Sequence, residues 1–196
     1  MLDNLRSYRI ILGSGSPRRR ELLSGLGLDF SVRLVKDGDE SYPDSLKGGD
    51  IPLYLSRKKA AAYMDTLASD ELLITADTIV HLDGKVLGKP HDEAQAKEML
   101  RMLSGRVHEV YTGVSLTTRR FQKSFYVGTK VCFAPLTQDE IDYYVRQFRP
   151  MDKAGSYGVQ EWIGYMGVER IEGCYYNIMG LPLQRLWREL EQVPAL

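Results

Sequence analysis

Three arginines, Arg18, Arg19 and Arg20, fill the first turn of a helix that Ser16 is suited to cap and Pro17 to begin. A helix N-terminus carries partial positive charge, so each cation there costs about 0.3 to 1 kcal/mol where an acidic residue would have helped. The cost makes sense if an anion is held at this turn. Its N–H groups, the hydroxyls of Ser14 and Ser16 and the guanidinium forks together make a phosphate site. Successive helical side chains point about 100° apart, so at most two of the three arginines face one ligand, and Arg20 is assigned to solvent. The bland alternative is a solvated basic face. No Gly-Lys-Ser/Thr follows at P-loop spacing and no GxGxxG is present, which argues against ATPase and dinucleotide-binding readings.

The second chemical feature is Asp77 in "ITADTIVHLDG", a carboxylate set among Ile74, Ala76, Ile79 and Val80. Aspartate suits a strand poorly, and a buried carboxylate is costly unless it is paired or binds a metal. Glu40, Asp39 and Asp37 of the acidic loop are candidates to join it around a hard divalent cation, since Mg²⁺ takes one or two carboxylates plus water and substrate phosphates. The alternative is an aspartate at the strand's wet edge, bonded to a neighbouring loop. Two lysines complete the set. Lys89 lies between Gly88 and Pro90 in a rigid turn, where an ammonium serves as a fixed point charge for phosphate, and Lys59 lies in the amphipathic run "LSRKKAAAY". Arg57 and Lys58 of that run are expected to face water. His81, His91 and His108 show no metal-ligand spacing and read as structural or exposed.

These residues must be positioned by a globular scaffold. The chain has 196 residues, 43% of them hydrophobic, and reads as a single domain, 1–196. Twenty-six basic residues balance twenty-six acidic ones, so there is no bulk attraction to nucleic acid or membrane and any anion site is local. Cys132 and Cys174 form no CxxC motif and read as buried apolar residues of a reduced protein; with no signal-like or spanning segment visible, the expected compartment is the cytoplasm. "YRIILGS" reads as a buried strand feeding the arginine helix, and "DFSVRLV" as a strand of alternating polarity. A helix is expected from near Asp50 through "LYLSRKKAAAYMD". Asp83-Gly84 offers a type I′ hairpin turn. Asp92 with Gln95, and Thr137 with Glu140, start two further helices as capping boxes, the second ending at Pro150. Three strands are expected in "HEVYTGVSLTT", "QKSFYVGTK" and "VCFAPL", and a last helix in "LPLQRLWRELEQ". The fold class is α/β or α+β around one mixed sheet.

Taken in order, "SGSPRRRELL", "ADT" with the following "GKP", "SGRVHEVYTGVSL", "DKAGSYGVQ" and "YYNIMGLPL" resemble the successive signatures of the Maf family of nucleotide pyrophosphatases, across nearly the whole chain. The resemblance implies an elongated α/β fold with a central mixed sheet flanked by helices, related to the inosine triphosphate pyrophosphatases. It also implies hydrolysis of a nucleoside triphosphate to the monophosphate and pyrophosphate with a divalent metal, and a homodimer. Arg18, Thr78 and Gln160 resemble the residues of the branch acting on dTTP and UTP. An amide and a hydroxyl suit the O4, N3 and O2 edge of thymine or uracil. The sequence departs from the family after Gln160: Glu161 and Trp162 stand where glycine is usual.

The implied chemistry assigns Asp77 as general base, Glu40 and Asp77 as holders of Mg²⁺ or Mn²⁺, and Arg18, Arg19, Lys59 and Lys89, with Ser14 and Ser16, to the triphosphate. The small-molecule partner is a nucleotide. Two other readings stand beside it: a pyrophosphatase for a modified or noncanonical purine nucleotide, and a nucleotide-binding regulator of cell division.

Overall fold

The run Ile10-Ile11-Leu12 is buried throughout, as a strand covered on both faces should be, and forms β1 (Arg9–Leu12). It pairs in parallel with β2 (Phe30–Val32) on one side and with β3 (Glu71–Leu82) on the other, Leu12 lying opposite Val32 and Ile74. The computed structural model describes residues 1–35 and 39–196. Asp83 and Gly84, at φ 48° and 81°, turn β3 back into β4 (Lys85–Leu87), as the Asp-Gly signal requires. With β5 (Val107–Thr117), β6 (Gln122–Phe133) and β7 (Val168–Glu172) they make a seven-stranded mixed sheet of order β2-β1-β3-β5-β6-β7, with β4 on β3.

Two strand expectations are corrected. "QKSFYVGTK" and the "VCF" of "VCFAPL" are one strand, β6, because no turn former separates Lys130 from Val131, and the strand ends at Phe133. "DFSVRLV" keeps only the three residues of β2, which lie largely on the surface. β7 was not visible in the sequence: it is short and mostly exposed, and pairs with β6 across a register shift at Cys132/Phe133.

The helices are α1 (Pro17–Ser24), α2 (Asp50–Ala61), α3 (Glu93–Leu103), α4 (Gln138–Phe148), α5 (Trp162–Gly167), α6 (Tyr175–Met179) and α7 (Leu183–Leu190). Thr137 and Glu140 form the full capping box on α4. On α3 the Asp92 side chain accepts from Gln95 N at 2.8 Å, but the Gln95 amide oxygen accepts from His91 N and not from Asp92 N. α2 stops at Ala61, short of the expected Asp65, where the chain passes into turns.

The chain gathers into two compact units: Met1–Asp77, Thr112–Val127 and Gly180–Leu196 form the first, and Thr78–Tyr111 and Gly128–Met179 the second. It passes from one to the other inside β3, β5 and β6, and a fourth time between Met179 and Gly180, after α6. In the first unit Ile11 and Leu73 pack with Ala60, Tyr63 and Leu67 beside α2. In the second, Val80 and Leu82 of β3 join Leu100 of α3, Phe133 of β6 and Tyr144 of α4. Among the described residues no helix is long and apolar enough to cross a membrane.

Candidate active site

β3 carries Asp77 on the same face as Thr75, two residues earlier, and α2 carries Lys59 one turn beyond Ser56. These four residues tie helix to strand twice. Thr75 Oγ1 donates to the Ser56 carbonyl at 2.8 Å, and Lys59 Nζ donates to Asp77 Oδ1 at 2.6 Å. The Ser56 hydroxyl lies 2.9 Å from that of Ser115 on β5, which lies 2.9 Å from Ser124 on β6. Close docking of α2 also depends on Gly113: a Cβ there would come within 2.2 to 2.4 Å of the Pro52 and Leu53 backbone.

Lys59 also reaches Glu40 Oε1 at 3.2 Å, so one ammonium joins the two carboxylates assigned to the metal. Asp77 is nearly enclosed, its side chain 11% exposed, whereas Glu40 is 58% exposed. Burial works against the charge on Lys59, but Asp77, by charge and hydrogen bond, and then Glu40 outweigh it and raise the ammonium above its ordinary pKa. Asp39 does not join the cluster. It pairs with Lys58 at 2.7 Å and accepts from Ser41 N, contacts that hold its carboxyl well below the usual range. Lys58, expected in water, is thereby drawn to the acidic loop. Asp37, the remaining acid considered for the cation, lies outside the described residues.

The arginine turn folds as the cap residues dictate. Ser16 accepts from Arg19 N, Pro17 opens α1, and Arg20 faces solvent while Arg18 and Arg19 are half-buried. Arg19 Nε donates to the Gly180 carbonyl at 2.8 Å and Nη1 to Ser14 Oγ at 3.3 Å; that hydroxyl also accepts from Ser16 N. Burial lowers the Arg19 pKa; the charges of Asp77 and Glu40 oppose that shift and Arg18 adds to it. Ser14, Ser16, Arg18, Arg19, Glu40, Lys59 and Asp77 all lie in the first unit. Glu40 and Asp77 are hard oxygen donors gathered at one cation, and they fit Mg²⁺ or Mn²⁺ as two protein ligands completed by water and phosphate oxygens. Among the described residues no three acidic, histidine or cysteine side chains cluster as a metal site, so most of the coordination sphere would come from the substrate side.

Lys89, Thr78 and Gln160 belong to the second unit. Lys89 is exposed, in a turn whose Gly88 carbonyl accepts from Gly155 N at 3.1 Å. Thr78 is half-buried; strand alternation directs it to the face of β3 opposite Asp77. Gln160 ends the loop that follows Lys153. Its backbone carbonyl accepts from Tyr165 Oη at 2.6 Å, while its buried side-chain oxygen has no partner among the described residues.

Several organising residues escaped the sequence reading. Gly113 and the Ser56–Thr75 contact carry no local signal, because their partners are remote in the chain. Lys153 and Tyr144, both buried and both bound to Glu161, had one available sign: the acidic residue that follows Gln160.

A family model described as Maf-like protein matches residues 9–193. A dTTP/UTP pyrophosphatase of Bacteroides fragilis is 60% identical over 193 residues, covering 98% of this chain and all of its own. The protein of the same name from Phocaeicola vulgatus is 58% identical with the same coverage, and that from Porphyromonas gingivalis is 52% identical, covering 97% of each chain. Among solved structures, a nucleoside-triphosphatase / dITP/XTP pyrophosphatase from Mycobacterium abscessus superposes with a TM-score of 0.42 at 16% identity, over 65% of this chain and 75% of that one.

Proposed function

This chain belongs to the Maf family, and we propose that it is a nucleoside triphosphate pyrophosphatase, one that hydrolyses dTTP and UTP to the monophosphate and pyrophosphate in the cytoplasm. The observation that carries the reading is the Lys59 ammonium, 2.6 Å from Asp77 and 3.2 Å from Glu40, with the Arg19 guanidinium in the same electrostatic field. Opposite charges gathered at one partly buried locus suit a reaction that needs a base, a cation site and counter-charges for phosphate. The names of the relatives supply the nucleotide class.

Asp77 orients a water and takes its proton as the oxygen attacks the α-phosphorus. Lys59 holds that carboxylate in place and keeps Glu40 from repelling it. Glu40 and Asp77 are the residues that would hold a divalent cation, whose charge neutralises phosphate oxygens when bound. Arg19 and Arg18, with Lys89, offset the charge that grows on the departing pyrophosphate, and the Ser14 and Ser16 hydroxyls line the same turn. Gln160 reads the pyrimidine edge.

The test is pyrophosphate release from every canonical triphosphate and several modified ones, with Mg²⁺ or Mn²⁺ added. dTTP and UTP should give the highest kcat/KM. Preference for a purine nucleotide would overturn the substrate assignment, and release of orthophosphate would overturn the reaction.

A further inference from the structure

Glu161 stands where the family's usual pattern has glycine, and its side chain is not loose. Its Oε1 lies 3.1 Å from Lys153 Nζ, and its Oε2 accepts a hydrogen bond from Tyr144 Oη. Lys153 is 8% exposed, Tyr144 fully enclosed and the Glu161 side chain 20% exposed, so the arrangement is a largely buried ion pair completed by a phenol. The Tyr144 oxygen has a second duty: it accepts from Gly158 N at 3.0 Å. The backbone then closes a turn, Glu161 N donating to the Gly158 carbonyl at 3.0 Å. Inside that turn a Cβ at residue 158 would meet Glu161 Cδ at 2.8 Å and Gln160 Nε2 at 3.0 Å, so any side chain there would push the Glu161 carboxylate from its place.

The contacts converge on Gln160. The backbone on either side of it is fastened, Gly158 by Tyr144 and Gln160's own carbonyl by Tyr165, while its side-chain oxygen is buried and has no partner among the described residues. A buried ion pair is a weak device for stability, since desolvation consumes most of the Coulomb attraction. It is a good device for holding one geometry. An unpaired acceptor, costly in the resting protein, is repaid when a ligand donor meets it.

We propose that Glu161, clamped by Tyr144 and Lys153, is a positioning residue that sets the Gly158–Gln160 turn, so that the Gln160 amide is pre-oriented for the ring N–H of a pyrimidine. The inference rests on the reading of Gln160 as the base reader. Glu161 touches no substrate. It acts through the tyrosine hydroxyl and the turn.

The experiment compares wild type with Glu161→Gln, Tyr144→Phe and the double variant, all close in volume to the parent and checked by thermal melting. The readouts are kcat and KM for dTTP and UTP and, as a base-free probe of the phosphate site, inhibition by inorganic pyrophosphate. Each single variant should raise KM for both nucleotides about tenfold, with kcat changed less than about threefold and pyrophosphate inhibition unaltered. Because the hydroxyl and carboxylate act as one unit, the double variant should resemble either single one. Unchanged KM, equal weakening of pyrophosphate, or losses that multiply in the double variant would each overturn the proposal. Gln160→Ala, run in parallel, separates the two levels. If it leaves the preference for dTTP over dGTP intact, the base-reading role itself fails. If it erases that preference while Glu161→Gln leaves KM unchanged, only the positioning role fails.

Discussion

Lys59 Nζ lies 2.6 Å from Asp77 Oδ1, and this short contact joins the last turn of a helix to the middle of a strand at the proposed catalytic carboxylate. The pair has a structural side and a chemical one. Removing the ammonium would leave a nearly enclosed carboxylate without its ion-pair partner, whereas removing the carboxylate's charge would leave a lysine that still has Glu40. Asp77→Asn should therefore fold and bind nucleotide, with kcat reduced at least about a hundredfold, as for loss of a general base. Turnover of dTTP near the wild-type rate would pass the role to Glu40.

Arg19 and Arg20 are neighbours in sequence with opposite surroundings. Arg19 is held by the Gly180 carbonyl and the Ser14 hydroxyl, within the field of Asp77 and Glu40, and Arg20 points to water. Arg19→Ala should weaken triphosphate binding by about 1.5 to 3 kcal/mol, the range for a charge-assisted hydrogen bond, and Arg20→Ala should change it little. Equilibrium titration of the Asp77→Asn background with dTTP measures both. Equal losses would mean that the overall positive field matters and the individual fork does not.

Much of this arrangement was legible before the fold was known, for a physical reason. Capping, turn chemistry and the helical angle are local, so Ser16, Asp83-Gly84, Thr137-Glu140 and the outward direction of Arg20 all followed from a few adjacent residues. Lys59 was named as a phosphate ligand, but its partner Asp77 is eighteen residues away, and no local pattern announces that pairing. Likewise Asp39 looked like a companion of Asp77 and instead pairs with Lys58. Carboxylates in one loop are equivalent in sequence; only the positions of the opposing lysines on α2 separate them.

The most remote of these constraints is Gly113, whose missing side chain admits the first turn of α2. Gly113→Ala would place a methyl group within 2.4 Å of backbone that cannot swing aside as a side chain can. Overpacking of this kind costs about 1 to 3 kcal/mol, sometimes more, and here the relief would come by lifting the helix that carries Lys59. A lower melting temperature should accompany a fall in activity that Lys59 contacts explain. If activity is lost with no change in melting, the helix has not moved and the account is wrong.

A buried histidine gives a pH prediction in the second unit. His108, 1% exposed, places Nε2 2.7 Å from the Tyr157 hydroxyl, and its Nδ1 has no partner among the described residues. Burial lowers its pKa from 6.5 to about 4. The unfolded chain thus binds a proton between those values that the folded one refuses, so stability is full above pH 6.5 and falls as pH drops toward 4. The loss amounts to about 3 kcal/mol at the lower end. His108→Leu combined with Tyr157→Phe should flatten this part of the curve in urea titrations at pH 6.5, 5.5 and 4.5, while the carboxylate contribution common to both proteins remains. Parallel curves would show that the imidazole titrates as it does in water.

The base pocket yields the sharpest comparison, because Gln160 is assigned to the base and not to the phosphates. Its amide offers a donor and an acceptor, which together match the carbonyl and ring N–H of uracil or thymine; Gln160→Glu leaves acceptors alone and sets a carbonyl of the base against a carboxylate. A repelled or unpaired group in a desolvated pocket costs about 1 to 3 kcal/mol, so kcat/KM for dTTP and UTP should fall about tenfold to a hundredfold. A nucleotide whose ring presents donors, such as a 7-methylguanine triphosphate, should lose less or gain. The fold supplies a second effect. The Gln160 amide nitrogen and the Glu161 carboxylate both crowd the space beside Gly158, so a charge at residue 160 would face a like charge, and melting should be followed in the same samples. Lowered melting with a uniform decline across all bases would make Gln160 a support of the turn. A loss confined to the pyrimidine nucleotides, at unchanged inhibition by pyrophosphate, would make it the reader of the base.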